Sequence, residues 1–254
     1  MAGTTIPGRL SWQLADVVGI IVETPKTKSL VLSAPGWGGH RAGQHVDLRL
    51  TAEDGYQAQR SYSIASAPDG EWIELTVERL DDGEVSPYLT GELRVGDKVE
   101  LKGPIGGYFA WDIADGGPLL LVSGGSGVAP LMAMIRRRAV AGSHVATRLL
   151  YSSRSFEEII YEKELARLAN ADELLQVSHT LTRAQPPGWS GYQRRIDEAM
   201  LADVAWPPAA RPLAYICGPT RLVESVATSL VALGHEPTRI RTERFGPTGG
   251  NDGR

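Results

Sequence analysis

The chain has little cysteine: Cys217 is the only one among its 254 residues. Intramolecular disulfides are therefore excluded, as are iron–sulfur clusters held by several cysteines and structural zinc sites of the multi-cysteine kind. The five histidines show no short spacing of the sort that metal ligands have, so we assign no metal. Any redox chemistry must then use another cofactor.

The sequence also lacks a strong excess of charge of one sign. Its 26 Lys and Arg stand against 30 Asp and Glu, which gives a net charge of -4 and no broad cationic field for nucleic acid or a membrane surface. No stretch approaches the roughly 18 apolar residues of a membrane span. The first residues have no basic segment followed by an apolar run, so they do not form a secretory signal. A cytoplasmic protein without nucleic-acid binding is expected.

The first half of the chain consists of short β-rich runs separated by Gly, Pro and Asp. Such runs predict an antiparallel barrel or sandwich, interrupted by one short helix over residues 86–92. The predicted strands cover residues 15–23, 29–34, 44–50, 60–66, 72–79 and 98–102.

After ADGGP at residues 114–118 the pattern changes to apolar runs that alternate with helical periodicity. This predicts a parallel sheet with crossover helices, over strands 119–122, 145–151, 174–179, 213–217 and 239–243. Ser155 and Glu158 form a candidate capping box for a helix over 156–168, and Gly234 is a candidate cap for the last helix. Two domains are expected, at residues 1–113 and 118–254.

A glycine-rich turn, SGGSGVAP, lies between a buried strand and an amphipathic helix. Gly125 and Gly127 let the backbone approach a diphosphate, and the helix N-terminus favours its charge. Pro130 stands where the full dinucleotide fingerprint has its third glycine, so a purely structural turn stays an alternative. Val128 replaces the last glycine of the hydrolase elbow G-x-S-x-G, which ranks hydrolysis well below nucleotide binding.

The end of the second parallel strand reads YSSRS, where an NAD-binding fold carries an acidic residue for the ribose. Arg154 and its serines suit an added 2′-phosphate better, and Arg183 adds a second cation after the third strand. These residues predict NADPH rather than NADH as the cofactor. The alternative is that either arginine is a solvated surface charge.

RSYSIAS at 60–66, GGSGVAP at 124–130, YICGPT at 215–220 and ERF at 243–245 occur in this order and spacing. Together they resemble the ferredoxin–NADP reductase superfamily of flavoenzymes, and the likeness extends from residue 42 to residue 249. The resemblance implies an antiparallel FAD-binding β-barrel followed by an α/β pyridine-nucleotide domain, without an iron–sulfur domain.

In the first half, the resemblance implies that Arg60 binds the FAD diphosphate, Tyr62 lies against the isoalloxazine and ribityl chain, and Ser63 lies near flavin N5. It also implies that Val85 and Ser86 contribute donors to the flavin diphosphate. An Arg fork suits phosphate, an aromatic ring stacks, and a hydroxyl can hydrogen-bond a ring nitrogen, so the chemistry agrees.

In the second half, the resemblance implies three groups of residues. Gly125, Ser126, Gly127 and Pro130 follow the NADP diphosphate; Arg154, Arg183 and Arg194, with Arg195 as a rival to Arg194, hold the adenosine phosphate; Cys217, Gly218 and Pro219 lie beside the nicotinamide. Glu243 and Phe245 match the Glu and aromatic over the flavin, so Ser63, Cys217, Glu243 and Phe245 are the predicted catalytic set. Here GPTGGNDGR follows Phe245, whereas plant-type members end at that aromatic.

The implied function is hydride transfer from NADPH (or NADH) to FAD, and then electron transfer to a separate ferredoxin or oxygenase-type partner. The alternatives are a reductase of free flavin, quinone or ferric chelate, and a non-catalytic flavin- or nucleotide-binding subunit. We expect a monomer. Arg136, Arg137 and Arg138 suggest a docking face for an acidic ferredoxin, but we interpret them as a solvated helix end.

Overall fold

The computed structural model describes residues 10–68 and 72–245. Six strands form an antiparallel sheet of order β4-β3-β6-β1-β2-β5. They are β1 (Gln13–Thr24), β2 (Thr27–Ser33), β3 (His45–Thr51), β4 (Gln57–Ser63), β5 (Ile73–Glu78) and β6 (Lys98–Ile105), with helix α1 (Ser86–Gly91) between the last two. The tail from residue 246, including the end of the sequence likeness, lies outside the described residues.

The antiparallel sheet curls into a barrel because its two outer strands meet. Ile64, directly after β4, forms a β-bridge with Leu75 of β5. Alternating apolar side chains such as Leu30 and Leu32 of β2 fill the interior. Leu89 of α1 is buried among these residues, so the helix packs against the barrel and contributes to its core. The predicted FAD-type barrel is confirmed.

The second half forms a five-stranded parallel sheet of order β11-β10-β7-β8-β9. Its elements are β7 (Leu119–Gly124), α2 (Val128–Val140), β8 (Thr147–Ser153), α3 (Glu162–Ala171), β9 (Leu175–Leu181), α4 (Glu198–Val204), β10 (Leu213–Pro219), α5 (Thr220–Ala232) and β11 (Ile240–Phe245). Strand β7 is buried throughout because one core, with α2 and α3, covers one face and another, with α4 and α5, covers the other. The predicted α/β fold is confirmed.

Helix α3 begins later than the sequence predicts. Residues Phe156–Glu158 form a 3₁₀ turn, Ser155 makes no side-chain cap, and the α-helix starts only at Glu162. Ile160 prevents an earlier start because its amide donates to the Tyr151 hydroxyl at 3.2 Å. The capping box at Ser155 is therefore wrong. Gly234, by contrast, closes α5 with φ +94° as predicted.

Two arginines of the run in α2 are held by contacts outside the helix, and one of them, Arg136, joins the two halves of the molecule. Arg136 donates to Glu74 at 2.7 Å, to the carbonyl of Ala65 at 3.0 Å and, with two nitrogens, to Glu164. Arg138 is 1% exposed and is bonded to Val145 and Asp172. The solvated helix end is a wrong interpretation for both arginines, because tertiary contacts outside α2 bury them. Neither belongs to a free docking face.

A second group of polar contacts joins the same two halves. The hydroxyl of Tyr161 hydrogen-bonds Thr76 of β5, and Thr76 bonds Ser29 of β2 at 2.8 Å. On the other side, the carbonyl of Ala110 accepts from Tyr215 at 3.2 Å and from Arg241 at 2.8 Å.

Within the described ranges, no helix has both the length and the apolar character needed to cross a membrane.

Candidate functional site

The end of β4 presents the three predicted flavin residues. Arg60 is exposed and donates to Glu84 at 3.2 Å, whereas Tyr62 packs partly buried against the barrel core. Burial raises the pKa of Tyr62 to about 12, so this phenol stays protonated. The Ser63 hydroxyl is buried and has no hydrogen-bond partner in the described part of the chain. A buried hydroxyl of this kind suits a hydrogen bond to a bound ligand.

The start of α1 holds Val85 and Ser86. Val85 is 1% exposed, and the Ser86 side-chain oxygen accepts the amide of Leu80 at 3.0 Å. The serine thereby fixes the turn into the helix, and its own proton remains able to donate. The first amides of an α-helix have no partner within the helix. Both residues thus remain predicted donors to a diphosphate.

The glycine loop after β7 packs backbone against backbone on the end of β10. A Cβ built on Gly127 would lie 2.3 Å from the carbonyl oxygen of Cys217. Gly125 has φ +57° and Gly218 has φ +151°, and a Cβ built on Gly218 would lie 3.0 Å from the backbone of Gly124. Only glycine fits these positions without strain. Ser126 lies in the turn, and buried Pro130 lies in the first turn of α2.

The ends of β10 and β11 bring together three of the four predicted catalytic residues. Cys217 pairs with Glu243, and Pro219 pairs with Phe245, in parallel register. Cys217 is fully buried, and burial followed by the charge of Glu243 raises the pKa of its thiol well above the usual value. An inert neutral thiol is expected there. Phe245 is partly buried against the same core.

Glu243 is an ionisable group held in an apolar setting. Burial raises the pKa of its carboxyl to about 7, and its Oε2 atom has no hydrogen-bond partner among the described residues. Its Oε1 atom lies 4.0 Å from Nδ1 of His45 on β3. His45 stands directly opposite Ser63 in the antiparallel register. The structure thus brings residues of the barrel and of the parallel sheet together at one place.

The sequence interpretation missed His45. The residue lies three positions after residue 42, where the family likeness begins, and the sequence motifs assigned it no role. Its proximity to Glu243 depends on how the two halves pack. The signal that could have found it is a titratable side chain in a strand next to the Ser63 strand.

The predicted phosphate-binding arginines lie on neighbouring loops at the ends of β8 and β9. The amide of Arg183 donates to the carbonyl of Arg154 at 2.9 Å, and both side chains are exposed. Neither guanidinium has a partner within residues 10–68 and 72–245. Arg194 instead donates to Asp197 at 2.6 Å, whereas its exposed rival Arg195 makes no such contact in the same ranges.

The residues present fit FAD and a pyridine nucleotide. Ser63 Oγ and Glu243 Oε2 are buried without hydrogen-bond partners where the ring system is expected. Ser153 Oγ is also without a partner and precedes Arg154, where the nucleotide phosphate is expected. Polar atoms of this kind are usually satisfied when a ligand binds.

The pH dependence of stability tests the burial of Glu243. The carboxyl holds its proton more tightly in the folded protein (pKa about 7) than in the unfolded chain (4.5), so its stabilising contribution is present below about pH 4.5 and is lost as pH rises through 7. Relative to Glu243→Gln, the wild type should therefore lose on the order of 2 kcal/mol of unfolding free energy between about pH 5 and about pH 8. Denaturant unfolding of both proteins across this range measures it; a constant difference would contradict it.

Two family profiles match the chain, one in each half. The Oxidoreductase FAD-binding domain matches residues 26–110, and the Oxidoreductase NAD-binding domain matches residues 121–228. Each matched range lies within one half and covers most of the strands of its sheet. The chemistry assigned to the two halves from the sequence is therefore supported by independent matches.

Individual proteins are similar over most of the chain. Ferredoxin–NADP reductase B of Sorangium cellulosum is 38% identical over 212 residues, which cover 80% of this chain and 84% of that one. The glycine betaine monooxygenase reductase subunit of Pseudomonas aeruginosa is 32% identical and covers 82% of this chain. The chain spans little more than half the length of that subunit, since the match covers 57% of it.

A solved structure extends the likeness to three dimensions. The FAD/NAD-binding domain of nitric oxide dioxygenase from Vibrio cholerae superposes with a TM-score of 0.82 at 27% identity. It covers 92% of this chain and 99% of that one. With the fold and the similarity to a reductase matched over most of its length, the chain belongs to the ferredoxin–NADP reductase superfamily and carries that family's FAD-binding and NAD-binding domains.

Proposed function

We propose that this protein takes electrons from NADPH through FAD and delivers them singly to a ferredoxin or to the oxygenase component of a monooxygenase system. The observation that carries the proposal is the approach of the Ser63 strand pair to the ends of the parallel sheet: His45, which stands opposite Ser63, lies 4.0 Å from Glu243. Similar proteins named as reductases of ferredoxin and of glycine betaine monooxygenase support the choice of acceptor. Because Cys217 is the only cysteine, the iron–sulfur centre of such an acceptor must lie outside this sequence.

The first domain, residues 1–113, binds FAD, which when bound accepts the hydride of the reduced nicotinamide and gives up electrons to the acceptor. Arg60 binds its diphosphate. The exposed ion pair between Arg60 and Glu84 contributes at most about 1 kcal/mol, so a diphosphate can take over this guanidinium. Tyr62 lies along the ring and ribityl chain, and the Ser63 hydroxyl donates to the ring edge. The amides of Val85 and Ser86 complete the diphosphate site.

The second domain, residues 118–254, binds the pyridine nucleotide. Gly125, Ser126, Gly127 and Pro130 line its diphosphate. The ends of β10 and β11 then hold the nicotinamide, with Cys217, Gly218 and Pro219 on one side and Glu243 and Phe245 beside the reacting edge. The chain's contribution is placement, because a close and aligned approach of the two rings supplies much of the rate.

Arg154 and Arg183 select NADPH by binding its 2′-phosphate. Charge-assisted hydrogen bonds contribute about 1.5–3 kcal/mol each, so Arg154→Ala with Arg183→Ala should raise the KM for NADPH at least about tenfold. The KM for NADH should stay within about twofold, because NADH has no phosphate there. Steady-state kinetics with both nucleotides measure the change.

A matched control is Arg167→Ala, since Arg167 is an exposed arginine of α3 outside the site. An unchanged preference in the double variant would contradict the proposed role of Arg154 and Arg183. Single variants at Arg194 and Arg195 then separate the two rivals. We propose Arg194 as the third phosphate residue, although a phosphate there competes with Asp197 for its guanidinium.

Phe245 borders the nicotinamide. Phe245→Ala should change both the NADPH:NADH preference and the rate of hydride transfer, because removing the ring alters where the nicotinamide lies. At least one of the two quantities should change by about tenfold. Stopped-flow reduction with each nucleotide measures both quantities. Unchanged values of both would exclude this role.

Anaerobic mixing with NADPH tests the function as a whole. The purified protein should be yellow, and NADPH should bleach the flavin absorbance faster than NADH does. The reduced protein should then transfer electrons to ferredoxins and oxygenase components faster than to free flavin, quinone or ferric chelate. Absent bleaching would support a non-catalytic subunit, and preference for the small acceptors would support a reductase of diffusible compounds.

A further inference from the structure

The glycine loop after β7 is held by a buried tyrosine of the neighbouring strand. Tyr151, in β8, donates its hydroxyl proton to the carbonyl of Gly125 at 3.1 Å. Glycine adopts positive and negative φ about equally readily, so this contact helps to select the φ of +57° that Gly125 has. Burial raises the pKa of the Tyr151 hydroxyl, so it keeps the proton that it donates.

The same tyrosine is held by the residues that lead into α3. The amide of Ile160 donates to the Tyr151 hydroxyl at 3.2 Å. The next residue, Tyr161, has φ +60°, a left-handed conformation that is strained for a residue with a bulky side chain. Such a conformation persists where the surrounding contacts hold it. The backbone at residues 160 and 161 is therefore fixed by contacts on both of its sides.

The contacts on the other side come from the barrel. The Tyr161 hydroxyl bonds Thr76 of β5, Thr76 bonds Ser29 at 2.8 Å, and Ser29 donates to Glu23 at 2.8 Å. An ionised carboxylate only accepts, so the hydroxyl protons of this chain all point towards Glu23, and Tyr161 donates to Thr76. Burial raises the pKa of Tyr161 well above its usual value, which keeps that proton in place.

Two further contacts bring the same elements together. The guanidinium of Arg136 lies 5.0 Å from the centre of the Tyr161 ring. The glycine loop also approaches the barrel directly, since a Cβ built on Gly125 would lie 3.7 Å from Oε2 of Glu78, two residues after Thr76 on β5. A continuous series of contacts thus joins the barrel to the glycine loop.

We propose that Tyr161 and Tyr151 are positioning residues, which tie the glycine loop to the barrel and hold it in the conformation that binds the nucleotide diphosphate. Both act through the backbone of Gly125. The inference rests on the proposed function, because it takes this loop as the diphosphate site. NADP⁺ and NAD⁺ share the diphosphate, so loss of the tie should weaken both, whereas loss of Arg154 and Arg183 should weaken NADP⁺ alone.

Calorimetric titration of the full chain with FAD bound tests the tie. Tyr151→Phe should raise the Kd of NADP⁺ at least about fivefold, because the Gly125 carbonyl and the Ile160 amide lose their partner. Thr76→Val should raise it at least about threefold, although this substitution lies in the barrel. The ratio of the Kd values of NADP⁺ and NAD⁺ should stay within about twofold of the wild-type ratio in both variants.

An unchanged Kd of NADP⁺ in either variant would overturn the proposal. A rise for NADP⁺ without a rise for NAD⁺ would place the effect at the 2′-phosphate and would overturn it as well. The double variant should bind NADP⁺ less than about twofold more weakly than Tyr151→Phe, because a released Gly125 leaves the barrel contact nothing to hold. Multiplication of the two single effects would show independent sites and no tie.

Two matched controls remove buried hydroxyls that lie outside this series of contacts. Thr24, in the barrel, is 6% exposed and accepts the amide of Lys26 at 3.3 Å. Tyr215 bonds the carbonyl of Ala110 in the other contact between the two halves. Thr24→Val and Tyr215→Phe should leave the Kd of NADP⁺ within about twofold of the wild type. A rise in these controls equal to that in Thr76→Val would mean general loosening and would overturn the proposal.

Hydrogen exchange of the Ile160 amide, followed by NMR without any nucleotide, tests the series of contacts separately from binding. Exchange should become at least about tenfold faster in Tyr151→Phe and at least about threefold faster in Thr76→Val, and should not change in Tyr215→Phe. Unchanged exchange in Thr76→Val would overturn the tie, whether or not the protein binds a nucleotide. A wild type that binds no NADP⁺ would overturn the proposed function instead.

Discussion

Gly127→Ala should lower the rate of flavin reduction by NADPH at least about hundredfold, because it displaces the end of β10 from the glycine loop. The added Cβ would lie 2.3 Å from the carbonyl oxygen of Cys217 and 2.7 Å from Cα of Gly218. Both are backbone atoms, so no side-chain rotation relieves the clash. The movement changes the surface that holds the nicotinamide. Stopped-flow reduction of the FAD-loaded variant measures the loss.

The stability cost of this substitution should be about 1–3 kcal/mol, as for other overpacked sites. Gly38→Ala is the matched control, because a Cβ at Gly38 meets no atom within 4 Å and the residue lies outside both proposed cofactor sites. It should leave FAD content and reduction rate unchanged. A Gly127→Ala protein with wild-type reduction would show that the contact between the glycine loop and β10 does not position the nicotinamide.

Arg136→Met should lower the free energy of unfolding by about 3 kcal/mol or more, since removing one member of a buried ion pair leaves its partner charges without compensation. The Arg136 side chain is 16% exposed, and it bridges Glu74 of the barrel and Glu164 of α3. Burial lowers the pKa of this guanidinium, but the hydrogen bond to Glu164 and the charge of Glu74 outweigh burial and raise it overall. Denaturant unfolding at neutral pH measures the loss.

A surface ion pair provides the comparison for Arg136. Lys26 and Asp81 are about two-thirds exposed and lie 3.0 Å apart, so Lys26→Met should cost at most about 1 kcal/mol. Arg136→Lys keeps the charge but cannot reproduce the two-nitrogen contact with Glu164, so its cost should fall between the two. Equal losses of unfolding free energy in Arg136→Met and Lys26→Met would contradict a stabilising buried ion pair between the two halves.

Local sequence patterns predicted most of the fold. Period-two alternation identified the barrel strands, and apolar runs separated by helical periodicity identified the parallel sheet, because each pattern reflects which side of an element faces a core. The end of α5 followed from Gly234, since a left-handed cap favours glycine whatever lies around it. The position of α3 did not follow, because Tyr151 binds the amide of Ile160 from a neighbouring strand.

For the predicted sites too, the sequence revealed residues that are close along the chain but not contacts with distant ones. Arg60, Tyr62 and Ser63 are close in sequence, so one strand brings them together. The meeting of Cys217 with Glu243 follows from the parallel pairing of β10 and β11. Arg136 was interpreted as a solvated residue because its own helix indicates only a cationic C-terminal end, whereas its carboxylate partners come from β5 and α3.

By itself the sequence determined that one half of the chain is a flavin domain and the other a pyridine-nucleotide domain. One cysteine, a β-rich half, a glycine loop and four ordered motifs suffice to identify the family. Those features are local, since they depend on residue type and short spacing. Only the tertiary structure decided that Arg136 joins the two halves and that His45 meets Glu243. Each of these contacts joins residues that are distant in sequence, and their energies depend on burial, which exists only once the two halves have packed together.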